Sequence, residues 1–184
     1  MHDETWQWHS QSGRLLTLRP IAADDRARYA AYVARLSYGT RYFRYGHGNL
    51  RLTDAELDLV CRIDPTEGRR YVVVTTENGE DVIVATGCYF RNADRGSCDM
   101  SIVVADAWQG THIAHRLMKI LIERAIADGL QHMVAEVMAT NLKMLRFTQR
   151  HGFTLVPGTE AGAVKLQRPL LQSSSNRGVI ESAD

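Results

Sequence analysis

The stretch Cys98-Asp99-Met100-Ser101-Ile102-Val103-Val104, followed by Ala105-Asp106-Ala107-Trp108-Gln109-Gly110 and then Thr111-His112-Ile113-Ala114, decides how the chain is built. Its first part ends in a β-branched run that reads as a strand, and Gly110 interrupts the chain before a helical pattern begins. Ile113, Leu117, Ile120, Leu121 and Ala125 form an apolar stripe at helical spacing, which predicts a long helix from Thr111 to about Asp128, ended by Gly129. A strand, a tight turn and a helix in that order leave several N–H groups at the helix start without an intrahelical partner. With the positive end of the helix dipole behind them and a glycine admitting close approach, these donors suit a phosphate or pyrophosphate. A plain helix start after a strand has the same local pattern, so the turn by itself is only an anion seat. There is no GxxxxGK[ST] motif, and no GxGxxG follows a first strand, so the nucleotide-triphosphate and dinucleotide phosphate loops are both excluded.

Upstream of this stretch the pattern is β: Tyr71 to Thr76 and Val82 to Phe90 join Cys98 to Val104 as an antiparallel meander, separated by the turn signals Asn78-Gly79 and Asn92-Ala93-Asp94-Arg95-Gly96. Before the meander, Leu15 to Pro20 reads as a strand, and Tyr29, Tyr32, Val33 and Leu36 hold helical spacing. Ser37 to Gly46 reads as a short helix or ordered loop, and Thr53-Asp54-Ala55-Glu56 is a capping box for a helix through about Ile63. Downstream lie a strand at Met133 to Met138, a helix at about Leu142 to Arg150, and strands near Phe153 to Val156 and Ala163 to Gln167.

A chain of 184 residues with 45% hydrophobic and 23% charged side chains buries one ordinary core. The expected organisation is a polar extension over 1–13, a single domain over 14–170 and a serine-rich, mobile tail over 171–184. The net charge of +1 creates no global field toward nucleic acid or anionic membranes. Three scattered cysteines, Cys61, Cys88 and Cys98, without a CxxC pair, argue against a disulfide framework or structural zinc and fit a reducing cytoplasm. No signal-peptide pattern and no run of about 18 apolar residues occurs, so neither secretion nor membrane spanning is expected.

The order strand, helices, three-stranded meander, phosphate-type turn with its helix, strand, helix, strand resembles the GCN5-related N-acetyltransferase (GNAT) superfamily, over roughly Leu15 to Arg168. In the family's cofactor motif Gln or Arg stands first, Gly fourth and Gly or Ala sixth; here these places hold Gln109, His112 and Ala114. Asn141, with Gly152-Phe153 eleven and twelve residues on, matches the family's second cofactor-proximal helix and its exit. Leu36-Ser37 with Arg41-Tyr42-Phe43-Arg44, then Asp106 to Gly110, then Glu136-Val137 with Asn141 and Met144-Leu145, are similar to the acetyltransferase domain of bacterial protein-lysine acetyltransferases. The likeness is to that domain, without the large acyl-CoA-synthetase-like region that often accompanies it.

The resemblance implies an α+β, three-layer α/β fold with a mixed, mostly antiparallel central sheet flanked by helices. It implies acetyl-CoA as co-substrate, no metal, and an amine acceptor, either a protein lysine or a small molecule, attacked directly in a ternary complex. By the same resemblance the cofactor lies against Ile102, Val103 and Val104 and against Gln109, Gly110, Thr111, His112, Ile113, Ala114 and Asn141. His112, in the glycine place, must turn its ring outward or displace the cofactor; outward is the easy direction if its φ and ψ are ordinary helical values. Asn141 is equally a good helix N-cap.

A lysine-like amine of pKa ~10.4 needs about 4.6 kcal/mol to lose its proton at pH 7, so a general base is useful. The family places a glutamate ten residues before the motif Gln; here that place holds Asp99, whose shorter side chain reaches roughly 1.5 Å less and calls for an intervening water. Glu136 is the second candidate, alternating with Val134 and Met138 on one strand face, unless it pairs with Arg41 or Arg44. Where the family often carries a tyrosine acid, seven residues after Asn141, this chain has Thr148.

Other chemistries are weaker. Cys88 and Cys98 suggest an acyl-cysteine route, but no histidine is placed in sequence to activate either. His112 and His115 have metal-ligand spacing without a third ligand nearby in sequence. The Arg41 to Tyr45 run has stacking character but no net basic surroundings, so no nucleic-acid partner is expected. A non-catalytic acyl-CoA sensor or interaction module with the same fold is the alternative function, and a homodimer is left open.

Overall fold

Asn78 and Gly79 both take positive φ (52° and 84°), the pairing a tight type I′ hairpin requires, and they fold the chain back so that β3 (Gly68–Glu77) runs antiparallel to β4 (Glu80–Arg91). In the computed structural model, which describes residues 4–46, 48–157 and 162–170, this hairpin is the centre of an eight-stranded sheet of order β1-β2-β3-β4-β5-β6-β8-β7. The remaining strands are β1 (Trp6–His9), β2 (Leu15–Pro20), β5 (Ser97–Val104), β6 (His132–Met138), β7 (Thr154–Leu155) and β8 (Ala163–Pro169). All neighbours pair antiparallel except β5 with β6. The tail over 171–184 lies outside the described residues.

Helices cover both faces. Opposite-strand register sorts the side chains: Arg70, Cys88 and Ser101 share one face, and Tyr71, Gly87 and Ile102 share the other. The first face is covered by α1 (Arg26–Arg35), α2 (Tyr38–Tyr45) and α3 (Asp54–Cys61), and buries Tyr29, Tyr32 and Val33 against Val72, Ile83 and Val103. The second carries α4 (Ile113–Ala127) and α5 (Leu142–Arg150), where Leu117, Met118 and Leu121 pack on Tyr71, Val73 and Ala85. The α4 helix crosses β4 at Gly87, where an added Cβ would lie 3.1 Å from Leu117 and 3.2 Å from Leu121. Thr53 and Glu56 close the capping box expected of α3, although the helix stops at Cys61.

Two local expectations change. The α4 helix begins at Ile113 rather than Thr111, because Gly110 (φ 79°) and His112 (φ 64°) both sit in the left-handed region and cannot continue a right-handed turn. The polar extension contains a strand: β1 pairs with β2 from Trp6 opposite Leu18 to His9 opposite Leu15. Its two tryptophans are covered from α4, Arg116 lying 4.7 Å over the Trp8 ring and Arg124 5.5 Å over Trp6.

One charged cluster ties the far end of α4 to the sheet. Asp128 accepts both guanidinium arms of Arg69 at 2.8 Å and the Tyr89 hydroxyl at 2.6 Å, and Glu4 accepts from Tyr71 and Arg124. Burial pushes the Asp128 carboxyl up, but Arg69 and Tyr89 outweigh it and hold it below the usual carboxylate range.

Candidate functional site

Strands β5 and β6 are parallel neighbours only at their beginnings, Ser97 with His132, Cys98 with Met133 and Asp99 with Val134. Beyond Asp99 they separate, and a cleft of about 720 Å³ opens between them. One wall is β5 from Asp99 to Val104; the other is β6 at Ala135 to Val137 with Asn141 and the first turns of α5. The turn from Asp106 to His115 closes one side, and α2 contributes Ser37, Thr40, Phe43 and Arg44. A sheet that splits leaves one edge of each strand without a strand partner, so backbone N–H and C=O groups line the slot.

The predicted residues gather on this cleft, in different ways. Ile102 and Val104 face α4, while Val103 buries its side chain in the α1 core and its carbonyl accepts the Tyr32 hydroxyl at 2.9 Å. The Gln109 side-chain amide donates to the Val104 carbonyl at 3.3 Å, and the Thr111 hydroxyl donates to the Trp108 carbonyl; together they fold the turn back on the strand end. Gly110 is exposed with open space where a Cβ would stand. Ile113 points its side chain into the core at 1% exposure, so it offers the cleft only its backbone, whereas Ala114 lines it with a methyl. No side chain caps the start of α4, and no acceptor for the Ile113, Ala114 and His115 N–H groups occurs among the described residues. The unpartnered donors expected from the sequence are there.

His112 differs from the expectation made for it. Its φ of 64° is not an ordinary helical value; it occupies the conformation in which a glycine is at ease, with its carbonyl still accepting from Arg116 at 3.2 Å. The ring is exposed and lies 5.8 Å from that of His115. Asn141 is the N-cap of α5, its side chain accepting from the Met144 N–H at 3.2 Å, and it lines the cleft as well. Both readings of Asn141 are geometrically compatible.

Asp99 and Glu136 are exposed to the cleft from opposite walls and lie on the same face of the sheet, because Asp99 is in register with Val134 and Glu136 follows two residues later. The partners considered for Glu136 are engaged elsewhere. Arg41 donates to the carbonyls of Gly48 (2.6 Å) and Ala34 (3.2 Å), and Arg44 lies over the Tyr45 ring. The residue across from Glu136 is Lys165 on β8. Thr148 is fully buried and returns its hydroxyl to the Met144 and Leu145 carbonyls, so it offers no proton to the cleft. Cys98 is fully buried and burial pushes its thiol up to about 12, which keeps it protonated and unreactive at neutral pH.

Asp106 is a positioning residue that the sequence alone does not single out. Its carboxylate accepts the Ser37 N–H, the Ser37 hydroxyl and the Thr40 hydroxyl, all at 2.8 Å, and so locks the first turn of α2 onto the turn after β5. Burial raises its pKa, but these hydrogen bonds prevail and hold it below the ordinary carboxylate value. The only signal in the sequence was that Leu36-Ser37 and Asp106 both belong to matching strings; nothing linked them across 69 residues.

The cleft therefore joins a set of unpaired N–H donors at one end to two carboxylates at the other, with backbone polar groups between. A family model described as "Acetyltransferase (GNAT) family" matches residues 30–153. Acetyltransferase PA5475 of Pseudomonas aeruginosa is 30% identical over 139 residues, covering 76% of this chain and 75% of its own length. Acetyltransferase Pat of Mycolicibacterium smegmatis is 27% identical over 143 residues, but the matched part is only 42% of that protein. Among solved structures, the GNAT domain of S. lividans PAT superimposes with a TM-score of 0.82 at 24% identity, covering 92% of this chain and 99% of that one. Split sheet, matched residues and relatives agree: the chain belongs to the GNAT family of acetyltransferases, whose members draw their acyl group from acyl-CoA.

Proposed function

We propose that this chain is an N-acetyltransferase that moves the acetyl group of acetyl-CoA to an amine in a single ternary complex. The observation that carries the reading is the separation of β5 and β6 immediately after Asp99, which opens one slot with donors at one end and carboxylates at the other. In this reading Gln109 to Ala114 hold the pyrophosphate through backbone N–H groups, and Ile102 to Val104 with Asn141 hold the pantetheine arm. Because His112 reproduces a glycine-like backbone, its N–H remains usable and its ring stays at the mouth.

The acceptor amine enters between α2 and the carboxylates. Asp99, through a water, removes its proton; Glu136 is the second candidate for that task. The neutral nitrogen attacks the thioester carbon, and an N–H of β5 donates to the oxygen as charge develops on it. The C–S bond then breaks as the carbonyl re-forms, CoA leaves as its thiolate, and the second nitrogen proton passes through solvent to that thiolate. No tyrosine acid stands at Thr148, and a thiol of pKa ~8.5 is an adequate leaving group without one. A protein lysine is the acceptor favoured by the similarity of the Arg41 to Arg44 and Asp106 to Gly110 strings to bacterial protein-lysine acetyltransferases, and by the exposed Phe43 of α2 on the cleft.

The test is thiol release from acetyl-CoA with a panel of lysine peptides and small amines. Turnover on at least one amine, with a pH-rate limb that shifts or disappears in Asp99→Asn, is expected. Tight acetyl-CoA binding with no turnover on any acceptor would leave a binding module in its place.

A further inference from the structure

At the mouth of the cleft the turn and two helices bring together three imidazoles that are scattered in sequence. His115, in the first turn of α4, lies 5.8 Å ring to ring from His112 and 4.9 Å from His151, which follows the end of α5. Phe147 packs against both His115 (5.2 Å) and His151 (4.7 Å). The contact that matters is His115 Nδ1 to His151 Nε2 at 2.8 Å.

Two imidazole nitrogens at that distance hold one proton between them, and a second would set N–H against N–H. The pair therefore takes up one further proton at most, on one of its two outer nitrogens. Burial first, then His115 and Arg168, depress the basicity of His151, and His115 is the member of the pair placed to meet an anion in the cleft. His115 is exposed and lines the cleft, whereas His151 is half-buried and does not. With Nδ1 committed to His151, Nε2 is the nitrogen that His115 can turn to an anion, and in the protonated pair it carries an N–H whichever ring donates across the contact.

Arg168 of β8 donates to the His151 carbonyl and lowers the basicity of His151, and His112 and Lys143 line the same cleft as His115, as do the carboxylates Asp99, Asp106 and Glu136. None of the three histidines is ion-paired with a carboxylate among the described residues. A metal does not explain the arrangement, because the Nδ1 and Nε2 lone pairs face each other rather than a common centre, and no group suited to a metal occurs among the described residues.

We propose that His115, backed by His151 as its proton-sharing partner, is a phosphate contact of the acyl-CoA seat and that cofactor binding draws one proton onto this pair. The inference rests on the acyl-CoA reading of the cleft. An anion at the first turn of α4 favours the charged form of His115, and charged His115 favours the anion; the two bindings are linked. CoA offers two sources of that anion, the pyrophosphate and the 3′-phosphate, which share the same oxyanion chemistry.

Calorimetric titration of the full chain with CoA and with dephospho-CoA, each in two buffers of different ionisation enthalpy, counts protons taken up per ligand bound. Wild type is expected to take up a substantial fraction of a proton near pH 6.5 and to bind CoA on the order of four-fold tighter there than near pH 8. In His115→Gln the uptake falls close to zero and the pH profile flattens, while affinity near pH 8 changes less than about two-fold. Uptake that persists with dephospho-CoA assigns the contact to the pyrophosphate; uptake that disappears assigns it to the 3′-phosphate. No uptake in wild type, or uptake unchanged in His115→Gln, overturns the proposal. If wild type binds no CoA at either pH, it is the acyl-CoA reading that has failed, and the proposal falls with it.

Discussion

Asp99 and His112 are the two residues on which the chemistry turns, and both depart from what the family pattern leads one to expect. Asp99 stands at the right place with a shorter arm, so its base function depends on an ordered water. Replacing it with Asn should lower kcat by about 100-fold while leaving KM for acetyl-CoA within a few-fold, as read by steady-state thiol release. If Glu136→Gln produces that loss and Asp99→Asn does not, the roles are exchanged. His112 carries a side chain in the left-handed region, a conformation that costs a non-glycine residue roughly 1 kcal/mol and a β-branched one more. His112→Gly should leave the melting temperature unchanged or raise it, and His112→Val should destabilise by about 1–2 kcal/mol in chemical denaturation.

At the scale of elements, the order of strands and helices was legible because each apolar period is long and each break carries Gly, Asn or Pro. Leu142 to Arg150 appears at the bounds read from sequence, and Asn78-Gly79 forms the hairpin it signalled. What was illegible depends on the third dimension. The β1 strand is four residues in a polar stretch, and it exists because β2 offers a free edge and α4 offers Arg116 and Arg124 to its tryptophans. The helix start slipped by two residues because a histidine adopts a glycine's backbone conformation, which no local signal announces. His115 and His151, or Ser37 and Asp106, meet only after the fold has formed. Asp106 holds α2 against the cleft, so Asp106→Ala should raise KM for the amine acceptor several-fold with little effect on acetyl-CoA binding, measured on the same substrate pair. The α4 seat depends equally on Gly87: a methyl there meets Leu117 and Leu121 at about 3 Å, and Gly87→Ala should cost about 1–3 kcal/mol in urea unfolding.

For the whole molecule, pH exposes how the parts are fastened. Asp106 and Asp128 titrate below the usual carboxylate range, so each contributes stability that is complete above the unfolded value of ~3.9 and is lost as pH falls through the folded value. Thermal unfolding should therefore decline gently below about pH 6.5, where folded His151 resists the proton it accepts when unfolded, and steeply below about pH 4. Asp128→Asn should flatten that acid limb while lowering stability at pH 7 by about 2–3 kcal/mol, since it leaves Arg69 and Tyr89 short of their acceptor. None of this touches the split between β5 and β6, the feature around which the molecule is arranged. Its occupancy is open to direct test by calorimetric titration of acetyl-CoA into wild type and Ala114→Trp, a substitution that fills the slot from the first turn of α4. One acetyl-CoA per wild-type chain is expected, with no detectable binding to Ala114→Trp at an unchanged melting temperature. Equal binding to both proteins, or none to wild type, would contradict it.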